Sequence, residues 1–250
     1  MDIPAFPYHI FPLGDSALTV DYGNCIDEAI NREVIARFIQ LRQEPLHGMI
    51  EVVPAYSSFT VYYDVFSVKK KAGSDRTAFD WMQEKVKERL AQTPDYEEET
   101  ERIIHIPVCY EDEFAPDLRY LAAEKNITVD SVIQIHTSKP YKVYMLGFLP
   151  GFTYMGEVDD RIKMPRKPQP VSIAAGSVGI AGRQTGIYPL ASPGGWQIIG
   201  STPAVLFDVQ KELPALLRAG DRVQFYSITS NEFYKIQNSS LPGENLGVEL

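Results

Sequence analysis

The sequence predicts an α+β fold in two parts. A small N-terminal α/β sandwich occupies residues 1–95, a closed β-barrel or sandwich follows over 102–232, and residues 233–250 form a tail. Three observations predict this division. Strand-like and helix-like patterns alternate over the first hundred residues, as in a small sheet carrying helices. The stretch Thr93 to Glu101 then holds five acids and a proline in nine residues, a composition that resists packing and reads as an exposed linker. Beyond it, glycine and proline punctuate many short β-rich runs, the pattern of closed or stacked sheets.

The elements follow in order. Tyr8–Leu13 and Ala17–Tyr22 are apolar runs separated by Gly14-Asp15-Ser16, a hairpin signal. Asp27 suits an N-cap, and Ile30, Val34, Phe38 and Leu41 recur at helical spacing, which predicts a helix over 28–43. Met49–Pro54 and Phe59–Tyr63 read as strands around Tyr56-Ser57-Ser58, and Lys69-Lys70-Lys71 as the solvated end of a strand. A second helix is expected over 75–92, with Phe79, Met82, Val86 and Leu90 on one face, so that two helices cover one side of a sheet. In the second part, Ile103–Val108 is a strand, and helices are expected over 117–124 and over 129–137, the latter capped by Thr128. Strands are expected at 142–146, 171–174, 178–181, 196–199, 205–207 and 223–228, and the polar residues 238–250 as a loose end.

Composition excludes several classes. Hydrophobic residues make up 44% and charged residues 23% of the 250, the balance of a folded globular chain. A net charge of −9 opposes binding to a phosphate backbone, and no basic stripe offsets it, so nucleic acid is not an expected partner. Cys25 and Cys109 lie far apart and share no metal or disulfide spacing, and the histidines are scattered, so no metal site is expected. The segment Met1–Leu13 lacks Lys and Arg and has three prolines, unlike a signal peptide. No apolar run suits a membrane span, and the cytoplasm is the expected location.

Two catalytic motifs come close and fail. Gly195 to Thr202 has the glycine spacing of a phosphate loop, but Ser201 stands where the lysine must reach the β- and γ-phosphates, and Trp196, Ile198 and Ile199 are too bulky for a tight loop. A strand is the better reading. Leu190-Ala191-Ser192-Pro193-Gly194 approaches a nucleophile elbow, but Pro193 cannot donate the backbone N–H that an oxyanion needs.

The densest patterning lies between Tyr144 and Pro203. It comprises Gly147-Phe148-Leu149-Pro150-Gly151-Phe152-Thr153-Tyr154, Ala175-Gly176-Ser177-Val178, Gly182-Arg183-Gln184-Thr185-Gly186-Ile187-Tyr188-Pro189 and Ser192-Pro193-Gly194-Gly195-Trp196 through Gly200. In this order the motifs resemble the family that unites the B component of 5-oxoprolinase, allophanate hydrolase subunit 1 and the sporulation kinase A inhibitor. Leu13-Gly14-Asp15-Ser16-Ala17, Asn31, Val52 to Tyr56 and Ile106 to Tyr110 extend the likeness over residues 8–230. Arg183 departs from it, standing where the family pattern has glycine. An arginine there either crowds a loop that should approach a ligand or adds an anion contact.

The resemblance implies a cyclophilin-like C-terminal barrel and hydrolysis of 5-oxoproline to glutamate. It implies ATP, with Mg, as co-substrate, and as partners a related cyclophilin-like C component and a third oxoprolinase component. Relatives act in allophanate hydrolysis, and one branch inhibits a histidine kinase, so both remain alternatives. Opening a lactam needs activation of its carbonyl, donors for phosphoryl oxygens and a base for water. His136, in the family-like stretch Ile135 to Ser138, is a candidate base or a packing and capping residue. Gln184 can both donate to and accept from an amide. Tyr144, Phe148, Thr185, Ser192 and Trp196 are expected to line a pocket with them, and Arg166 and Arg183 to offer cations. Gly182, Gly186, Gly194 and Gly195 either bring backbone N–H groups to an anion or serve tight turns. No convincing acid/base pair is visible, which suits a site completed by another chain.

Overall fold

The computed structural model describes residues 6–93 and 102–239; most of the acidic segment expected as a linker, from Pro94 to Glu101, lies outside the described residues. The chain divides into two compact units, one ending at Glu99 and the other beginning at Thr100.

In the first unit, strands β1 (His9–Pro12), β2 (Ala17–Asp21), β3 (Met49–Pro54) and β4 (Ser58–Tyr63) form an antiparallel sheet in the order β1-β2-β4-β3. Alternation sends Leu18, Val20, Val52, Phe59, Val61 and Tyr63 to one face. There they meet Val34 and Leu41 of helix α1 (Glu28–Gln43), Val68 of α2 (Val65–Ala72), and Met82, Val86 and Leu90 of α3 (Ala78–Leu90). The side chain of Asp27 accepts from the Ala29 and Ile30 amides and starts α1, and Thr77 and Asp80 form a reciprocal capping box that starts α3. Two expectations change here. Lys69-Lys70-Lys71 belong to the last turn of a helix, α2, and not to a strand; lysines there complement the negative end of the helix dipole. The second expected helix begins at Ala78, because Gly73 to Arg76 turn back to the Lys69 ammonium through their carbonyls.

The second unit is a closed barrel. Its strands are β5 (Ile103–Cys109), β6 (Tyr141–Leu146), β7 (Thr153–Gly156), β9 (Ser177–Ala181), β10 (Gln184–Ile187), β12 (Gln197–Ser201) and β13 (Arg222–Ile228). Their order is β10-β7-β6-β13-β5-β12-β9, closed by the β9–β10 hairpin, and only β13 and β5 run parallel. A small ribbon of β8 (Val171–Ile173) and β11 (Ser192–Gly194) sits apart. Helices α4 (Leu118–Lys125) and α5 (Val129–Thr137) lie between β5 and β6, and their buried faces join the barrel core. The segment that imitated a phosphate loop is strand β12, and Gly200 within it is packed against Val108 and the Cys109 backbone.

Strands β7, β10 and β11 have no counterpart among the expected strands, and the one expected over 205–207 is a single bridge between Phe207 and Ala215. The expected tail is corrected as well. Helix α6 (Ser230–Ser239) begins before it, its buried Phe233 lies 4.4 Å from the Phe114 ring, and Tyr234 donates to Glu113 at 2.9 Å. Among the described residues no helix is long and apolar enough to cross a membrane.

Candidate functional site

The pleat of β10 sorts the expected site residues onto two sides of the barrel wall. Thr185 and Ile187 point inward, and Ile187 joins the interior core with Val143, Met155, Val178 and Ile180. Gln184 and Gly186 therefore point outward.

His136 lies on the inside. It is fully buried, and its ring stacks on Phe225 at 4.7 Å. The Thr185 hydroxyl donates to the Gly179 carbonyl at 3.1 Å, so its oxygen accepts from His136 Nε2 at 3.0 Å. That leaves Nδ1 as an acceptor, which the Tyr110 hydroxyl fills at 2.8 Å. Burial lowers the imidazole pKa to about 3, so the ring is neutral and its tautomer is set by its partners. The expectation that His136, Gln184 and the Gly194-Gly195-Trp196 turn line one pocket does not hold. His136 and Thr185 tie α5, β9 and β10 together inside the barrel. Neither ring nitrogen reaches solvent, so this geometry gives a general base no access to water.

The outer side carries a group of aromatic rings. Phe152, Tyr154, Tyr188 and Trp196 meet edge to face or tilted, with Phe152 5.1 Å from Tyr188 and 5.5 Å from Trp196. Trp196 is 4% exposed and lies across β10 and β9, where a Cβ on Gly186 would meet its ring at 3.0 Å and one on Gly179 its Cβ at 3.1 Å. Gly194 is packed the same way beneath the Tyr188 ring. These glycines admit rings. Gly182 has φ +61°, and its N–H donates to the Met164 carbonyl at 2.6 Å, so that donor is also taken.

The remaining expected residues take distinct places. Tyr144 stands on the outer side of β6 beside Gly156, whose cross-strand partner is Gln184. Phe148 is 62% exposed at φ +72°, a strained conformation for a large side chain, and its ring meets the edges of Phe152 at 5.5 Å and Tyr188 at 6.5 Å. Arg166 is exposed, with its guanidinium 6.0 Å from the centre of the Trp196 ring. Burial raises the phenol pKa values of Tyr154 and Tyr188, and the charge of Arg166 opposes this in both. Arg183 adds no open anion contact, because it pairs with Glu157 at 2.9 Å and with Asp160 at 3.6 Å. The Ser192 hydroxyl is buried and has no hydrogen-bond partner among the described residues.

Sequence reasoning misses the group that fixes Arg166. Asp117 Oδ2 accepts from the Ile198 amide at 2.7 Å and pairs with Lys167 at 2.6 Å. The Lys167 amide donates to the Gly195 carbonyl at 2.6 Å, and Gln197 donates to the Pro165 carbonyl at 3.0 Å. Residues 165–167 are thus a strap held on both sides of Arg166, at Pro165 by Gln197 of β12 and at Lys167 by Gly195 and Asp117. Asp117 and Lys167 are fifty residues apart, and no local signal joins them.

Comparison with known proteins places the chain in a known class. It belongs to the family described as "Carboxyltransferase domain, subdomain C and D", which it matches over residues 8–217. It is 45% identical to the B component of 5-oxoprolinase from Bacillus subtilis, over 93% of this chain and 98% of that protein. It is 38% identical to the protein of the same name from Haemophilus influenzae, over 87% of this chain and 96% of that one. The crystal structure of TTHA0988 superposes with a TM-score of 0.73 at 32% identity, covering 86% of this chain and 40% of that longer one. These findings bear out the resemblance carried by the motifs.

Proposed function

We propose that the chain is the B component of an ATP-dependent 5-oxoprolinase, hydrolysing 5-oxo-L-proline to L-glutamate with a related C component and a third component. The observation that carries this is the end-to-end likeness to relatives so named, reaching 98% of the Bacillus subtilis protein's length. The outer face fits the reading chemically. Gln184 offers an amide able to pair with a lactam, Arg166 a cation, and the rings an apolar wall. In this reading the barrel is of the cyclophilin-like kind and works in the cytoplasm as part of a hetero-oligomer.

ATP, with Mg, enters as the co-substrate that turns the lactam oxygen into a leaving group. The Gly182 amide is spent on Met164, and Gly186 lies within strand β10, so we assign the phosphate-binding groups to the partner components. The outer-face group named above holds no carboxylate or imidazole, and the base for water likewise comes from a partner. The test is ATP-dependent glutamate release. The chain alone should release none, and the three components together should turn over. Full turnover by the chain alone overturns the partial-site reading. Turnover of allophanate but not 5-oxoproline by the reconstituted components overturns the substrate.

A further inference from the structure

Basic side chains cluster around the strap, and all but one already hold a carboxylate. Arg161 pairs with Asp159 at 2.9 Å, Lys163 with Asp160 at 3.2 Å, Lys167 with Asp117 at 2.6 Å and Arg183 with Glu157 at 2.9 Å. Arg166 alone among these has no carboxylate partner among the described residues. It is also the one aimed over the aromatic floor, while its chain neighbours Pro165 and Lys167 are clamped to Gln197 and Gly195. Phe148, exposed and held at positive φ, meets the Phe152 and Tyr188 rings of the same floor. An exposed ring in a strained conformation and a guanidinium with no carboxylate partner among the described residues thus border the same group of buried aromatics. Each is costly or idle in the free chain and useful against a ligand.

We propose that Phe148 and Arg166 form a two-ended clamp for a small cyclic amide that carries a carboxylate. The ring lies against Phe148 and Trp196, and the carboxylate accepts two N–H groups of the Arg166 fork. Asp117 and Lys167 are positioning residues that hold the strap at the height of the Trp196 ring. One guanidinium matches one carboxylate. A nucleotide triphosphate needs several cations, and the neighbouring ones are spent on Asp117, Asp159, Asp160 and Glu157. The proposal rests on the 5-oxoproline reading and adds which end of the substrate this chain recognises.

The test uses Trp196 fluorescence in the full chain with Trp81→Phe, titrated with 5-oxoproline, with 2-pyrrolidinone (the same lactam without its carboxylate) and with Mg-ATP. The same preference is read as kcat/KM in the reconstituted complex. Wild type should prefer 5-oxoproline over 2-pyrrolidinone by ~10- to 100-fold, the range of a charge-assisted hydrogen-bond pair. Arg166→Ala should erase that preference, Arg166→Lys should keep part of it, and Phe148→Ala should weaken both lactams alike. Asp117→Asn and Lys167→Met should raise KM for 5-oxoproline and leave kcat unchanged, with Lys167→Arg restoring KM. An unchanged preference in Arg166→Ala overturns the clamp. So does a response in which only Mg-ATP depends on Arg166, since the anion is then a phosphate. Glutamate release that persists while the preference ignores Arg166 sinks the clamp and leaves the 5-oxoprolinase reading standing.

Discussion

His136 is neutral because solvation of its charge is lost inside the barrel and no carboxylate replaces it. Its folded pKa, about 3, lies below the ordinary value of 6.5, so the unfolded chain takes up the proton first as pH falls. Stability from this group is therefore complete above about pH 6.5 and is lost progressively from there toward pH 3. Linkage puts the loss at about 2 kcal/mol between about pH 7.5 and about pH 5. Urea midpoints of wild type and His136→Asn at those two pH values measure it: wild type should lose that amount more than the variant. At neutral pH, His136→Ala should cost roughly 2–5 kcal/mol, since it opens a cavity and leaves the Tyr110 hydroxyl without its acceptor. Turnover per folded molecule of the reconstituted complex should stay near wild type. A hundredfold fall in kcat at unchanged stability would return His136 to the role of general base.

The barrel strands that escape sequence reading, β7 and β10, are four residues each and contain Gly156 at the end of one and Gly186 within the other. Glycine in a strand reads as punctuation, because it loses backbone entropy and packs nothing of its own. At Gly186 the lack of a side chain is the point: Trp196, later in the chain, lies on the space a Cβ would fill. Gly186→Ala should therefore destabilise by roughly 1–3 kcal/mol, because the new methyl group meets the Thr153 carbonyl at 2.8 Å and the indole at 3.0 Å. Thermal melts of Gly186→Ala alone and combined with Trp196→Phe provide the check. The smaller ring should recover part of the loss, and identical costs in both backgrounds would show that the indole is not the obstacle. By contrast α1 and α5 coincide with the spans predicted from the sequence, 28–43 and 129–137. Their signals are local: an apolar stripe at helical spacing, and the caps Asp27 and Thr128 at the head. Helix α2 escapes because its last turn, Lys69-Lys70-Lys71, reads as the solvated end of a strand.

Each unit of the molecule has its own apolar core, one built from Leu18, Phe59, Met82 and their neighbours, the other from Ile106, Tyr141, Phe225 and theirs. Residues 6–93 and 102–239, expressed separately, should each unfold cooperatively, with circular dichroism and tryptophan fluorescence changing together. Each carries one tryptophan, Trp81 or Trp196, as its reporter. A molten, gradual transition in either piece would show that its core depends on the other. The sequence by itself determined the mixed α/β character, the strand nature of the false phosphate loop, and the family, because periodicity, caps and ordered motifs are properties of neighbouring residues. It also named Gln184, Arg166, Phe148 and Trp196 as residues of interest. Only the tertiary structure decided which side of the barrel wall each occupies. The pleat alternates with a period of two, so Thr185 and Gln184, adjacent in the chain, face opposite environments, and the direction of that alternation is set by closure of the barrel. The clamp of Asp117 on Lys167 that leaves Arg166 with no carboxylate partner among the described residues was likewise invisible, because a contact between residues fifty apart exists only once β5 and β12 lie side by side.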